Sequence, residues 1–313
     1  MRTTTTTPQA PVLFIIFNRP EQTKKVFEMI RKAQPKKLYV AADGPRNNGK
    51  DDERCKETRA IIDLVDWDCE VKTLFRDENI GCGLGPKTAI DWFFENEEEG
   101  IILEDDCLPS ESFFKFCSEL LEKYRDNSQI MHIGGSNFQN GYVSDSEYSY
   151  YFSYFSHEWG WASWRRAWKH YDYEVSTYPE LKKKGYFDTY FSNFIEKKYR
   201  LSKIEKTINA KEVTWWDYQW DYTKLINSGL SIIPHQNMIK NLGFGEDATH
   251  TLSANDERQK NEAHEISFPL HHPNFIIRDT KADRKYFNRF FKSTILRRKI
   301  LGFLRIPGYS AEG

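Results

Sequence analysis

The sequence predicts an α/β fold: a mostly parallel sheet flanked by helices. Three observations predict it. Short apolar runs alternate with segments of helical periodicity from residue 12 to about residue 125. The runs are apolar throughout, as expected of strands that helices cover on both faces. Four of them end in polar clusters, Asn18-Arg19, Asp43-Gly44, Arg76-Asp77 and Glu104-Asp105-Asp106. These are the carboxyl ends of strands, where open parallel sheets bind ligands.

The elements follow in order. Residues 1–10 read as a disordered Thr-rich leader. Val12–Phe17 reads as a strand, and Glu21–Ala33 as a helix with Val26, Phe27 and Ile30 on one side. Leu38–Ala42 is a strand, Asp51–Asp66 a helix and Glu70–Phe75 a strand. Pro86–Glu97 reads as a helix with Pro86 at its first position. The glycines before it, Gly81-Cys82-Gly83-Leu84-Gly85, read as a loop, either simply flexible or passing close to a bound nucleotide. Gly100–Leu103 is a strand. Ser110–Arg125 is a helix capped by Ser110, with Phe113, Phe114, Phe116, Leu120 and Leu121 at helical spacing. Beyond about residue 140 the alternation fades, apart from a short strand at Leu230–Pro234. The expected organisation is thus 1–10 leader, 11–140 ligand-binding half, 141–277 second half of the same domain, and 278–313 C-terminal helix.

That last stretch holds ten Lys/Arg against three Asp/Glu, and Phe287, Phe291 and Ile295 share one helical face. Two readings stand: a basic amphipathic helix on an anionic membrane surface through residues 282–306, or a helix packed on the domain.

Composition removes several function classes. Of the 313 residues, 45 are Lys or Arg and 46 Asp or Glu, a net charge of -1, which argues against a nucleic-acid partner. The polar start and the six-residue first apolar run fit neither a secretory signal nor a membrane span. Five cysteines with no paired spacing read as free thiols of a reducing compartment. A cytoplasmic enzyme, peripheral on the inner face of a membrane if the C-terminal helix binds there, is the expected setting. Aromatic content is high at 15%, and seven of nine tryptophans fall between residues 159 and 220. Rings gathered in this way suit stacking on sugars.

The chemistry concentrates at Glu104-Asp105-Asp106. Three adjacent carboxylates after a buried strand repel one another unless a cation is present, and hard oxygen donors suit Mg2+ or Mn2+. No GxGxxG follows the first strand and no GxxxxGK[ST] occurs. Lys87 stands where it can reach a nucleotide or diphosphate. His250, after a Gly-containing loop, can reach a metal or diphosphate if that loop closes. Arg165 and Arg166 would meet phosphate or stack on Trp164 and Trp168.

The stretch Pro11–Phe116 resembles the nucleotide-sugar half of GT-A glycosyltransferases, with their Rossmann-like sheet, above all the N-acetylglucosaminyltransferase I type. Phe17-Asn18-Arg19, Ala42-Asp43-Gly44, Leu103-Glu104-Asp105-Asp106 and Ser112-Phe113-Phe114 carry that resemblance. It implies that Arg19 meets the diphosphate of a UDP-sugar and that Asp43 meets uracil or ribose. It also implies that Asp106 ligates Mn2+ or Mg2+, while Glu104 and Asp105 face ribose and donor-sugar hydroxyls. In the second half, Trp159-Gly160-Trp161 looks like the family's pocket-shaping segment, and Trp216-Asp217 like its catalytic base. Asp221, one turn on, is a second candidate for the base, and Glu246 and Asp247 are further ones. The resemblance spans residues 11–250 and extends to bacterial sugar transferases with a Gly-Phe-Gly-Glu-Asp-Ala-Thr-His loop, as at 243–250. It implies an inverting transfer to a glycan or lipid-linked acceptor hydroxyl. Rival readings are a sugar-nucleotide-forming nucleotidyltransferase, a non-catalytic carbohydrate-binding protein and a metal-dependent hydrolase. The nucleotidyltransferase fits less well, because Asn18-Arg19-Pro20-Glu21 replaces the Gly-rich basic loop it would carry.

Overall fold

The computed structural model describes residues 9–139, 147–188, 190–191, 193–244 and 257–292. The leader to residue 8, the loop segment 245–250 with His250, Glu246 and Asp247, and the tail from 293 lie outside the described residues.

One eight-stranded sheet organises the chain, and strands from both sides of residue 140 join it. β1 (Val12–Ile16) lies between β2 (Lys37–Ala42) and β4 (Glu99–Glu104), parallel to both, and β3 (Glu70–Phe75) extends the parallel run beyond β2. In register, Val12 faces Leu38 on one side and Ile101 on the other. β8 (Trp161–Trp164) runs antiparallel between β4 and β6 (Ile130–Gly134). β9 (Leu230–Pro234) is parallel to β6, and β7 (Tyr150–Ser153) closes that edge antiparallel to β9. A separate antiparallel pair, β5 (Cys107–Pro109) with β10 (Ile239–Asn241), lies just past β4.

At its centre the sheet is buried on both faces, and β1 has no polar side. Val12, Phe14 and Ile16 point into one core and Leu13 into the other, the period-two alternation of a strand buried twice. The first core receives Val26, Phe27 and Ile30 of α1 (Pro20–Ala33) and Phe113, Phe116 and Leu120 of α4 (Glu111–Lys123). The second receives Ile90 and Phe93 of α3 (Gly81–Asn96), Trp168 of α5 (Arg165–Trp168) and Trp220 of α8 (Asp217–Ile226). The remaining helices are α2 (Asp51–Arg59), α6 (Tyr178–Lys183), α7 (Phe194–Asn209) and α9 (Thr280–Phe287).

Three local expectations are corrected. The helix expected from Pro86 starts at Gly81, with φ +84 there, so the glycine run is the opening of α3 and Pro86 lies inside it. The helix expected over 51–66 is α-helical only to Arg59 and continues as a 3-10 turn, Ala60–Leu64. Ser110 does not cap α4 with its side chain. The amides of Glu111 and Ser112 donate instead to the Glu265 carboxylate, at 3.1 and 2.8 Å. A carboxylate from 150 residues away does what a local hydroxyl was expected to do, and it also carries the negative charge a helix N-terminus favours.

The C-terminal stretch packs on the domain as far as it is described. Asp279 caps α9 by accepting from the amides of Lys281 and Ala282. Tyr286 and Phe287 are buried, with Phe290 and Phe291 packed alongside against Phe138, Phe155 and Tyr199. Tyr286 and Phe287 thus face protein, and Phe290 and Phe291 are half-buried. Among the described residues no helix is long and apolar enough to cross one.

Candidate active site

A cavity of about 730 Å3 opens where the carboxyl ends of β1 and β4 face α7 and α8. It is lined by Arg19, Glu104 and Asp106 from the strand ends and by Ser156, His157, Glu158, Trp159, Asp217 and Asp221 from the second half of the chain.

Alternation past β4 decides how the acidic triplet divides. Glu104 and Asp106 line the cavity, while Asp105 points back and is buried. Asp105 Oδ2 accepts the Phe17 amide at 2.9 Å, tying the end of β4 to the end of β1. Asp105 therefore does not face a ribose or sugar as expected; it holds the two strand ends together. Arg19 Nη1 donates to Asp106 Oδ2 at 2.8 Å and lies 3.6 Å from Asp105 Oδ1. Burial pushes the carboxyls of Glu104 and Asp105 well above their usual range, and the neighbouring Asp106 charge adds to the shift in both.

The β5–β10 pair brings a second strand end to Asp106. The Leu242 amide donates to the Asp106 carbonyl at 2.7 Å. A Cβ on Gly243 would stand 2.1 Å from Asp106 Oδ2, so only glycine leaves this carboxylate its place.

The tryptophans divide: Trp159, Trp215 and Trp216 line the cavity, and Trp161, Trp164, Trp168 and Trp220 are buried away from it. Trp161 is 1% exposed and does not line the cavity. It stacks on Trp216 at 5.7 Å and His132 at 5.1 Å, and lies 5.9 Å from Trp220. Trp168 lies 5.2 Å from Trp220. These buried rings form an aromatic layer under α8. Trp216 and Trp220, four residues apart, anchor its inner face. Asp217 and Asp221, each one position further and so about 100° round, turn toward the cavity. Trp216 reaches the cavity only as its buried floor, and Trp159 and Trp215 are half-buried on its walls. Gly160, at φ +60, is a close approach rather than part of the lining: a Cβ there would stand 2.4 Å from Ile239 Cδ1.

Asp217 opens α8, where the helix dipole favours an ionised carboxylate. Asp221 accepts from the Ser156 hydroxyl and lies 4.0 Å from both Arg200 Nη2 and Lys224 Nζ. Lys224 is 1% exposed and also donates to Ser231 Oγ, so Asp221 is the counter-charge of a buried cation.

Two further expected residues lie elsewhere. Asp43 accepts from the amides of Ile80 and Gly81, at 3.1 and 3.0 Å, and so caps α3; it does not line the cavity. Lys87 pairs with Asp91 one turn along α3 at 2.5 Å, away from the cavity lining. Arg166 donates to the carbonyls of Tyr124, Arg125 and Ile130 and stacks on Trp164 at 4.2 Å, and Arg165 donates to the Phe94 carbonyl. Both arginines brace the fold rather than meet phosphate.

Glu158, His157, Ser156 and the cations of α7 were not singled out from the sequence. Their signal was weak: they fall where strand–helix alternation fades. His157 Nδ1 lies 2.8 Å from the Ser136 carbonyl, which requires that this nitrogen carry the proton, and Nε2 has no partner among the described residues. Burial holds its pKa down, to about 4, so the ring is neutral at pH 7. Burial, with the charges of Asp221 and Asp217, raises the Glu158 carboxyl to about 8. The folded protein thus keeps a proton that the unfolded chain releases near pH 4.3. Stability contributed by that proton is present below about pH 4 and is lost as pH rises toward 8. Glu158→Gln, which mimics the protonated carboxyl, is expected to gain stability over the parent protein as pH rises from 5 to 8. Melting temperatures across that range check it; a constant difference between the two proteins would contradict it.

No family model matches the chain, and no curated protein matches it. Among solved structures it is similar to the mannosyltransferase PcManGT from Pyrobaculum calidifontis in complex with GDP-Man and Mn2+, at 14% identity and TM-score 0.36, over 56% of this chain and 47% of that one. It thus spans about half the length of that protein. It is also similar to HddC from Yersinia pseudotuberculosis, at 11% identity and TM-score 0.31, over 50% of this chain and 77% of that one. A third likeness is to UDP-glucose pyrophosphorylase complexed with UDP-glucose, at 13% identity and TM-score 0.25, over 46% and 62% of the respective chains. Likenesses this distant say nothing of this chain's substrate.

Proposed function

We propose that the protein is a glycosyltransferase that moves a sugar from a nucleoside diphosphate sugar, a UDP-sugar first among them, to an acceptor hydroxyl with inversion. One observation carries the reading. One cavity brings Arg19, Glu104 and Asp106 of the strand ends together with a helix-borne carboxylate, Asp217, whose charge reaches Glu104.

A divalent cation, Mn2+ or Mg2+, belongs to this reading. Among the described residues no group of three or more His, Cys, Asp and Glu side chains is arranged to hold a metal. A diphosphate-bound ion needs only one or two protein carboxylates, because the ligand's oxygens complete its shell. Glu104 and Asp106 offer that donor set, and their crowding is the strain that a cation would relieve. When bound, such an ion neutralises negative charge on the leaving diphosphate.

The chain's own residues do the rest. Arg19 offers a guanidinium to the diphosphate beside Asp106. Asp217 takes the proton from the acceptor hydroxyl as its oxygen bonds to the anomeric carbon. The bond from that carbon to the diphosphate breaks, and the nucleoside diphosphate leaves with the electron pair. Attack from the face opposite the leaving group inverts the anomeric centre. Asp221, tied to Ser156 and Lys224, holds the α8 wall rather than the proton.

Mass action on the folded state tests the nucleotide half of the proposal. UDP with Mn2+ at about 100 times its dissociation constant adds about 2.7 kcal/mol, or roughly 4 °C in melting temperature for a chain of this size. No shift with any nucleoside diphosphate and metal would contradict the proposal.

A further inference from the structure

We propose that the outer face of α9 and the segment just before it form a docking surface for an anionic lipid bilayer, one helix away from the cavity.

α9 has two unlike faces. Ala282, Asp283, Tyr286 and Phe287 are buried, and Tyr286 lines the cavity, as does Phe291 just beyond the helix. Lys281 and Arg284, three residues apart, are exposed on the other side, with Lys285 beside them. The acids of this stretch are taken up inside the fold. Asp283 is 2% exposed and accepts from the Ser153 hydroxyl and from Arg278 Nε, both at 2.5 Å. Asp279, half-buried, accepts from the amides of Lys281 and Ala282 at 3.0 and 2.9 Å. The charge that α9 itself turns to solvent is therefore positive. A helix that its sequence could lay on a membrane by its rings instead turns its rings inward and its cations outward.

Large apolar side chains stand in water just before these cations. Phe275 is 73% and Ile277 70% exposed, while Ile276 between them packs on the first core. The fold holds this segment in place: Arg278 bridges to Phe152 of β7, and the Asp279 amide donates to the Phe152 carbonyl at 2.8 Å. A ring and an aliphatic chain fixed in water are unfavourable there, and insertion at headgroup level relieves both. Anionic headgroups over hydrocarbon thus meet the cations and the apolar side chains at once. A helix is about 10–12 Å across, so lipid on the outer face of α9 lies about that far from the cavity wall formed by Tyr286.

Sedimentation of the full chain with vesicles tests this, comparing phosphatidylglycerol mixed into phosphatidylcholine with phosphatidylcholine alone, at low salt. Partitioning is expected to be about tenfold or more stronger on the anionic vesicles and to weaken as salt rises. Lys281→Glu/Arg284→Glu is expected to lose about tenfold or more of that binding. Phe275→Ser/Ile277→Ser is expected to lose about fivefold, because the apolar part of the contact is gone. All four side chains are exposed, so both variants should keep the melting temperature of the parent protein. Three results would overturn the proposal: no preference for anionic vesicles, undiminished binding in Lys281→Glu/Arg284→Glu, or undiminished binding in Phe275→Ser/Ile277→Ser. The second would assign the binding to cations elsewhere in the chain, and the third to charge alone. Nucleotide takes no part in the measurement, so its outcome leaves the glycosyltransferase reading to be decided separately.

Discussion

Asp217→Asn is expected to lower kcat by about 10²–10⁴-fold, the usual contribution of a positioned general base, while nucleotide binding stays unchanged. The substitution keeps shape and removes only the ability to take a proton. It leaves the aromatic layer under α8 in place, since Trp216 and Trp220 anchor the helix from its other face. Asp221→Asn is expected to behave differently. It takes a counter-charge from Lys224, which is 1% exposed. Breaking a buried pair from one side costs stability, about 3–5 kcal/mol in well-buried cases and less here because Asp221 itself is partly exposed. The melting temperature should fall with the rate. A large rate loss in Asp221→Asn at unchanged stability, with near-normal turnover in Asp217→Asn, would exchange the two roles.

Asp106→Asn is expected to abolish the Mn2+-dependent part of UDP stabilisation. Asp106 is the point where Arg19, the β10 strand end and the acidic triplet meet, so its charge serves both the cation and the guanidinium. Asparagine keeps an oxygen for Arg19 but removes the charge a divalent ion needs. The melting-temperature rise of roughly 4 °C expected for the parent protein at saturating UDP and Mn2+ should shrink to that of UDP alone. Asp105→Asn should act instead on stability, because Asp105 is buried against the Phe17 amide. A full Mn2+-dependent rise in Asp106→Asn would remove Asp106 from the metal site.

The strand ends were legible because chain order and sheet order agree there. In a parallel run, apolar strand followed by polar cluster is enough to place Arg19 and Glu104-Asp105-Asp106 at one edge. What stayed hidden depended on direction or on distant partners. Asp105 turns away from its neighbours because side chains alternate. Asp43 is taken by the amides of Ile80 and Gly81, which only the folded chain brings to it. Lys87 has Asp91 four residues on, a pairing the sequence did display.

The tryptophan cluster shows the same limit. Its crowding between residues 159 and 220 is real, but crowding does not say which face a ring occupies. The spacing does. In Trp216-Asp217 and Trp220-Asp221 the four-residue step puts both rings on one side of α8 and both carboxylates on the next. The rings are mostly the foundation of the acidic wall and only in part its surface. Arg200, Lys203 and Lys206 of α7 were hidden because they lie where strand–helix alternation has faded, and only the folded chain brings them to the cavity.

Turnover of a panel of nucleotide sugars with Mn2+ or Mg2+ tests the central claim most directly, with the anomeric configuration of any transferred sugar read by NMR. The account predicts metal-dependent release of a nucleoside diphosphate from one donor class, UDP-sugars first. It also predicts a transferred sugar of inverted configuration and loss of this turnover in Asp217→Asn. Release from no donor would contradict it. So would formation of a sugar nucleotide and pyrophosphate from a nucleoside triphosphate and a sugar 1-phosphate.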